Sequence, residues 1–249
     1  MRFEREVELP VSPAEAFAWH ERPGAFERLL PPWDSTQLVE AVGGIRDGGR
    51  VVLRTRVGGF WRRWVARHHG YEQDRVFHDT QVSGPFAQWV HTHRFDPSHE
   101  GSGCRLTDSI EYRLPFGVLG AWFGAGFARR KLDRVFRHRH ATTYQDLLRH
   151  QAFREHVPMK IAVTGAGGLV GRTLIPLLTT GGHTVVKLVR EIQLPATSCG
   201  TRKPERSTRR RSKGSTPSSI WRARTSPRAV ERQSQSRDPP QPRRRDALA

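Results

Sequence analysis

The stretch from Met159 to Arg190, MKIAVTGAGGLVGRTLIPLLTTGGHTVVKLVR, leaves this chain few choices. Lys160 to Val163 is an apolar run of strand length and β-branched character, and Thr164 to Gly168 is a glycine-rich turn. An apolar helix is expected from about Leu169 to Leu178. Gly181-Gly182 stops it, and a second strand-like run, His183 to Val189, closes the unit. Strand, glycine loop, helix and strand in this order open a doubly wound parallel sheet.

The glycines are spaced Gly165-x-x-Gly168-x-x-Gly171. Gly165 permits the tight turn off the strand. Gly168 lets a pyrophosphate approach the backbone, where free N–H groups at the helix start can hold it. Gly171 lets the helix lie close to the strand. Val170 stands where the commoner G-x-G-x-x-G pattern has its last glycine.

TGAGGLVG behind a strand, followed by GGHTVVKLVR, resembles the N-terminus of extended short-chain dehydrogenases/reductases. Within them the likeness is to the sugar-nucleotide epimerase-like branch often labelled cell division inhibitor. The resemblance covers Met159 to Arg190. It implies a partial Rossmann unit that binds a dinucleotide at Thr164, Gly165, Gly168, Leu169, Val170 and Gly171. Classical NAD binders end the second strand in an acid that bonds the ribose 2′-OH. This strand ends in Arg190, a cation that suits a 2′-phosphate, so NADP(H) is the expected cofactor. The Tyr-x-x-x-Lys pair of that family is missing, because Tyr71, Tyr112 and Tyr144 are followed four residues later by Arg75, Phe116 and Leu148. No catalytic residue is expected in the truncated segment, and its cofactor affinity should be weak.

After Arg190 the apolar periodicity vanishes and Arg, Ser, Pro and Thr dominate. Residues 191–249 are expected to be a disordered basic tail, since such a composition buries too little surface to offset chain entropy. More than half of the net charge of +18 lies there. The charge alone would suggest nucleic acid held non-specifically through phosphate contacts. A shifted reading frame explains the composition better. Moving the frame by one nucleotide from Cys199 onward permits a sequence containing VVHLAGE, the apolar strand that the resembled family would place next.

The first 152 residues read differently. Phe3, Val7 and Leu9 alternate as in a half-buried strand. Ser12-Pro13-Ala14-Glu15 is an N-cap, a proline at N1 and a first-turn acid, so a helix is expected over Pro13 to Glu21. A shorter helix follows from Pro23 to Leu30. Strand-like runs come next at Gln37–Val42, Arg50–Val57, Trp61–His69, Arg75–Val82, Ala87–Phe95 and Cys104–Leu114, with glycine-rich turns between them. After Pro115, Leu119, Trp122, Phe123, Phe127, Leu132, Val135, Phe136, Tyr144, Leu147 and Leu148 keep the spacing of one buried helix face.

This order of elements, with VELPVSPAEAFAWHERPGAFERLLPPW near the start and DSIEYRLPFGVLG before the last helix, resembles the α+β helix-grip fold of START-like (SRPBCC, polyketide cyclase-type) proteins. The resemblance implies a cavity for a small hydrophobic ligand between sheet and helix. Phe60, Trp64, Phe86, Trp89, Phe95, Trp122 and Phe123 are the candidates to line it.

Other chemical signals are thin. His91-x-His93 puts two imidazoles on one strand face, but no third ligand sits at persuasive spacing, so no metal site is expected. G-x-S-x-G, H-E-x-x-H and paired C-x-x-C are absent. Cys104 and Cys199 give no disulfide framework and suit a reducing cytoplasm. No window is apolar enough to span a bilayer. The expected organisation is a ligand-binding domain (1–152), a linker (153–158), the nucleotide-binding fragment (159–190) and the tail. The alternatives are an epimerase or oxidoreductase and a nucleic-acid binder.

Overall fold

A computed structural model of the chain describes residues 1–98, 103–190 and 221–224. Seven strands form one antiparallel sheet in the order β1-β7-β6-β5-β4-β3-β2. They are β1 (Arg2–Leu9), β2 (Gln37–Val42), β3 (Arg50–Val57), β4 (Phe60–Glu72), β5 (Val76–Ser83), β6 (Gln88–Pro97) and β7 (Cys104–Arg113). The period of two is clearest in β7, where Cys104, Leu106, Asp108, Ile110 and Tyr112 are buried and their neighbours are less so. In β6 the buried set is Trp89, His91, His93 and Phe95.

Two short helices, α1 (Pro13–Glu21) and α2 (Ala25–Leu29), connect β1 to β2. Ser12 caps α1 as its sequence predicts, its hydroxyl accepting from the Glu15 N–H at 3.3 Å. The long helix α3 (Gly117–Ala152) runs back against the sheet. Arg5 of β1 donates to Asp133 of α3 at 2.6 Å. Arg28 of α2 forks onto both carboxylate oxygens of Asp146, each at 2.7 Å. Asp146 is fully buried, so this bidentate pair fixes α2 on α3.

The core has two apolar clusters. One gathers Leu9, Phe17, Trp19, Phe77, Phe95, Leu106 and Leu147 between α1, the sheet and the far end of α3. The other gathers Phe3, Trp89, Ile110, Tyr112, Leu132 and Phe136. α3 enters them only from Ala128 onward. Leu119, Trp122, Phe123 and Phe127 have the spacing of a buried face yet stand exposed, Trp122 at 81% and Phe123 at 77%. Leu148 is exposed as well. Periodicity identifies an apolar face but does not supply the surface that covers it, and the described strands do not cover the first three turns.

A separate unit follows: β8 (Lys160–Thr164), α4 (Leu169–Thr180) and β9 (Thr184–Arg190). β8 and β9 pair in parallel, with Ile161 opposite Val185 and Thr164 opposite Leu188. α4 turns Ile175, Pro176 and Thr180 inward. It packs on α2, where a Cβ on Gly24 would lie 2.7 Å from the Pro176 Cα, so the close approach requires glycine. Arg22 donates to the Thr180 carbonyl at 2.7 Å, and His150 Nε2 lies 3.1 Å from the Leu177 carbonyl.

Four residues of the expected disordered tail form a strand instead. β10 (Trp221–Arg224) pairs antiparallel with β9 and gives the sheet order β10-β9-β8. The edge of β9 offers unpaired backbone groups that a short extended segment can take up. The rest of the tail, 191–220 and 225–249, lies outside the described residues, as does Cys199.

Candidate functional site

Between the two apolar clusters lies a buried network of aspartates and histidines. The sheet register builds it. Asp79 of β5 is opposite His91 of β6, and Asp108 of β7 is opposite His93. Because side chains two apart share a face, all four meet on the side that α3 covers. His140 completes the group from α3, lying one turn beyond Phe136.

The distances are short. His91 Nδ1 is 3.0 Å from Asp79 Oδ2, and its Nε2 is 2.9 Å from Asp108 Oδ1. His93 Nε2 is 3.6 Å from Asp79 Oδ2, and its Nδ1 is 2.7 Å from Asp108 Oδ1. His140 Nε2 is 2.6 Å from Asp108 Oδ2. Trp89 Nε1 donates to Asp79 Oδ1 at 3.2 Å. Phe77 stacks on the His93 ring at 4.2 Å, and Phe136 meets the His91 ring edge-on at 5.3 Å.

Burial in this apolar frame opposes every charge, and at Asp79, Asp108 and His91 the pairing overrides it. Burial would raise the Asp79 and Asp108 carboxyls, but the facing imidazoles hold both well below the usual carboxylate range. Burial would lower His91, but Asp79 and Asp108 push it up to about 9. His20, behind the network on α1, has no carboxylate partner, and burial draws it down to about 4. The Arg139 guanidinium is also drawn down by burial, against the attraction of Asp108, Asp79 and Asp34. Its Nε is buried without a hydrogen-bond partner. Such a set can hold charge out of water, pass protons along Asp79–His91–Asp108–His140, or bind a cation.

The sequence shows His91 and His93 but not their partners. Asp79 and Asp108 lie 12 residues before His91 and 15 after His93, so spacing along the chain hides them. The available signal is phase. In Phe77-His78-Asp79 and Leu106-Thr107-Asp108 an aspartate occupies the position that the apolar alternation assigns to the interior.

The seven expected lining aromatics separate into three groups. Trp64, Phe86 and Trp89 pack together, with ring centroids 4.8–5.6 Å apart. Phe95 belongs to the other cluster, edge-on to Phe17 at 5.2 Å. Phe60, Trp122 and Phe123 stand on the surface, Phe60 at 73% exposure.

At the other expected site, Thr164 ends β8, Gly165 turns with φ +64, and Gly168 caps α4. Leu169, Val170 and Gly171 form the first turn of α4. A Cβ on Gly171 would lie 2.5 Å from the Gly165 carbonyl oxygen, so this glycine serves the packing of the turn itself rather than contact with the strand. Arg190 ends β9 at the same edge of the sheet as the loop, and its side chain lies outside the described residues.

The sequence family described as Polyketide cyclase / dehydrase and lipid transport matches residues 1–142, more than half of the chain. The chain belongs to this family. A solved nucleoside-diphosphate sugar epimerase from Corynebacterium glutamicum is similar over 78% of this chain, with 29% identity and a TM-score of 0.62. The chain spans only 40% of that structure's length. Norcoclaurine synthase from Thalictrum flavum, solved with dopamine and hydroxybenzaldehyde, is 14% identical over 60% of this chain and 87% of its own, with a TM-score of 0.48. A Thermus thermophilus protein is 17% identical over 63% of this chain and all of its own, with a TM-score of 0.43. No curated protein matches the sequence. Among the described residues, no helix is long and apolar enough to cross a membrane.

Proposed function

We propose that residues 1–152 bind a small, largely apolar ligand against the first half of α3. The observation that carries this reading is the exposure of Leu119, Trp122, Phe123 and Phe127 along one apolar segment of a helix whose second half is buried. A contiguous apolar patch of this kind marks a place that something covers. The helix-grip family favours a small molecule, because its description includes lipid transport. The cluster Trp64–Phe86–Trp89 and the buried aspartate–histidine network would supply an apolar wall and a polar end. Titration of the full chain with anilinonaphthalene sulfonate tests the reading. Wild type should enhance the dye's fluorescence, and Trp122→Ser/Phe123→Ser should lose most of the enhancement while keeping its melting temperature. Equal dye binding by both proteins would count against it.

We also infer that β8–α4–β9 is an NADP(H)-binding segment of Rossmann type. The positive φ of Gly165, the close packing at Gly171 and the parallel pairing of β8 with β9 support it. So does the reach of the epimerase likeness: 78% of 249 residues is about 194, beyond the 142 of the family match. Without Tyr-x-x-x-Lys the segment binds rather than reacts, and a lone β–α–β unit leaves its affinity weak. NADPH fluorescence should change on adding the chain, and the change should weaken in Gly168→Asp. A chain that leaves NADPH fluorescence unaltered has no such site. Sequencing the gene across codons 185–205 tests whether a shifted frame produced the residues after Arg190. A nucleotide gained or lost there means that the residues after Arg190 were read in a slipped frame, and an unchanged sequence means that the shift is carried by the gene itself.

A further inference from the structure

The aspartate–histidine network holds a second, independent reading. We infer that Asp79, His91 and His93 form a three-ligand site for a divalent transition metal of the zinc class, with Asp108 as its outer carboxylate. One potential ligand atom from each of the three lies within 4.8 Å of the other two. The measured approaches to Asp79 Oδ2 are 3.0 Å from His91 Nδ1 and 3.6 Å from His93 Nε2. Bonds of about 2.0–2.2 Å to nitrogen and oxygen in a tetrahedral site put neighbouring ligand atoms about 3.3–3.5 Å apart. Both approaches to Asp79 Oδ2 are within about 0.5 Å of that spacing, and all three groups offer ligand atoms within 4.8 Å of one another.

The outer shell is already in place. A histidine ligand ordinarily directs its second ring nitrogen at a carboxylate or carbonyl, which fixes the ring and its tautomer. Here both free nitrogens, His91 Nε2 at 2.9 Å and His93 Nδ1 at 2.7 Å, face the same oxygen of Asp108. The other Asp108 oxygen is held by His140, and Asp79 Oδ1 is held by Trp89. Asp79 Oδ2, His91 Nδ1 and His93 Nε2 are thereby left to face one another.

His93 points to a missing ligand most directly. It is 8% exposed, its Nδ1 lies 2.7 Å from Asp108 Oδ1, and its Nε2 stands 3.6 Å from Asp79 Oδ2, beyond hydrogen-bond range. A buried imidazole nitrogen that faces a carboxylate from just beyond hydrogen-bond range leaves room for a cation to be held between the two. Three protein ligands of the His-His-carboxylate kind leave a fourth position open, as in sites that bind or activate a small molecule.

The test uses the full chain, stripped with a chelator and titrated with Co(II), whose visible d–d absorption reports tetrahedral coordination. One Co(II) per folded chain is expected, with Zn(II) displacing it. Asp79→Asn and His93→Asn should each weaken uptake by at least about a hundredfold, and Asp108→Asn by about 10–100-fold, the range for outer-shell partners. The stacked pair of exposed His69 and half-buried His78 is the control. His69→Ala/His78→Ala should bind as wild type does. A folded, stripped wild-type chain that takes up no Co(II) overturns the site without recourse to any variant. So does uptake that survives Asp79→Asn and His93→Asn, or uptake lost in the His69/His78 control. In any of these cases the cluster is a charge-balanced structural network alone.

Discussion

The two halves of α3 carry the same apolar spacing and meet opposite fates. From Leu132 to Leu147 the helix buries Leu132, Phe136, His140, Thr143 and Leu147 against the sheet. Before it, Val118, Leu119, Trp122, Phe123 and Phe127 stand in solvent. The difference is not one of apolar content, since the exposed half is the more aromatic. It lies in what faces each half. The second half has α2, β1 and the inward residues of β6 and β7 against it, with Arg28–Asp146 and Arg5–Asp133 holding the register. No ion pair of that kind is found from Val118 to Phe127 among the described residues. One half of the helix is packed, and the other is the exposed surface on which we place the ligand.

The sharpest way to break that contrast is Asp146→Ala. It leaves Arg28, itself largely buried, without its bidentate partner, and should cost about 3–5 kcal/mol in chemical denaturation. A loss below about 1 kcal/mol would mean that the second half does not depend on this anchor. Next comes a matched pair. Phe136→Ala removes a ring that is 1% exposed and should cost about 3–5 kcal/mol, whereas Phe123→Ala should stay within about 0.5 kcal/mol. Equal costs would show that the first half is packed in solution.

The smallest effect concerns α4. Burial lowers His150 from its ordinary 6.5, and Arg22 and His183 add to that, while Asp146 and the Leu177 carbonyl oppose it. The unfolded state then binds more protons below 6.5, so stability contributed through His150 is present above 6.5 and lost as pH falls below it. Amide exchange in α4 should accelerate between about pH 7.5 and about pH 5.5 beyond the intrinsic pH effect, and His150→Gln should remove the excess. An excess of the same size in His150→Gln would exclude this histidine as its source.

The alternation of β1, the Ser12 cap and the strand runs to Cys104 were legible because they are local, set by side-chain period and by turn residues. The glycine loop at Gly165 was legible for the same reason. The aspartate–histidine network was not, because Asp79, His91, Asp108 and His140 meet only through register across three strands and a helix. Neither was the fate of Trp122 and Phe123. At about 100° per residue Trp122 shares a face with Phe136, which only a longer sheet would cover, while Phe123 falls about 140° round the helix from it. The lining aromatics show both cases. Trp64, Phe86 and Trp89 come together from neighbouring strands, while Phe60 lies at the start of β4, where the alternation carries no burial.

The most direct test of the central claim is residue-resolved hydrogen exchange along α3, with and without a saturating long-chain fatty acid. Without ligand, amides from 132 to 148 should be protected far beyond those from 118 to 127, because local opening is easiest where few buried contacts hold the backbone. With ligand, protection should rise in 118–127 and change little in 132–148. Equal protection of both halves without ligand, or no gain in the first half with it, would contradict the account.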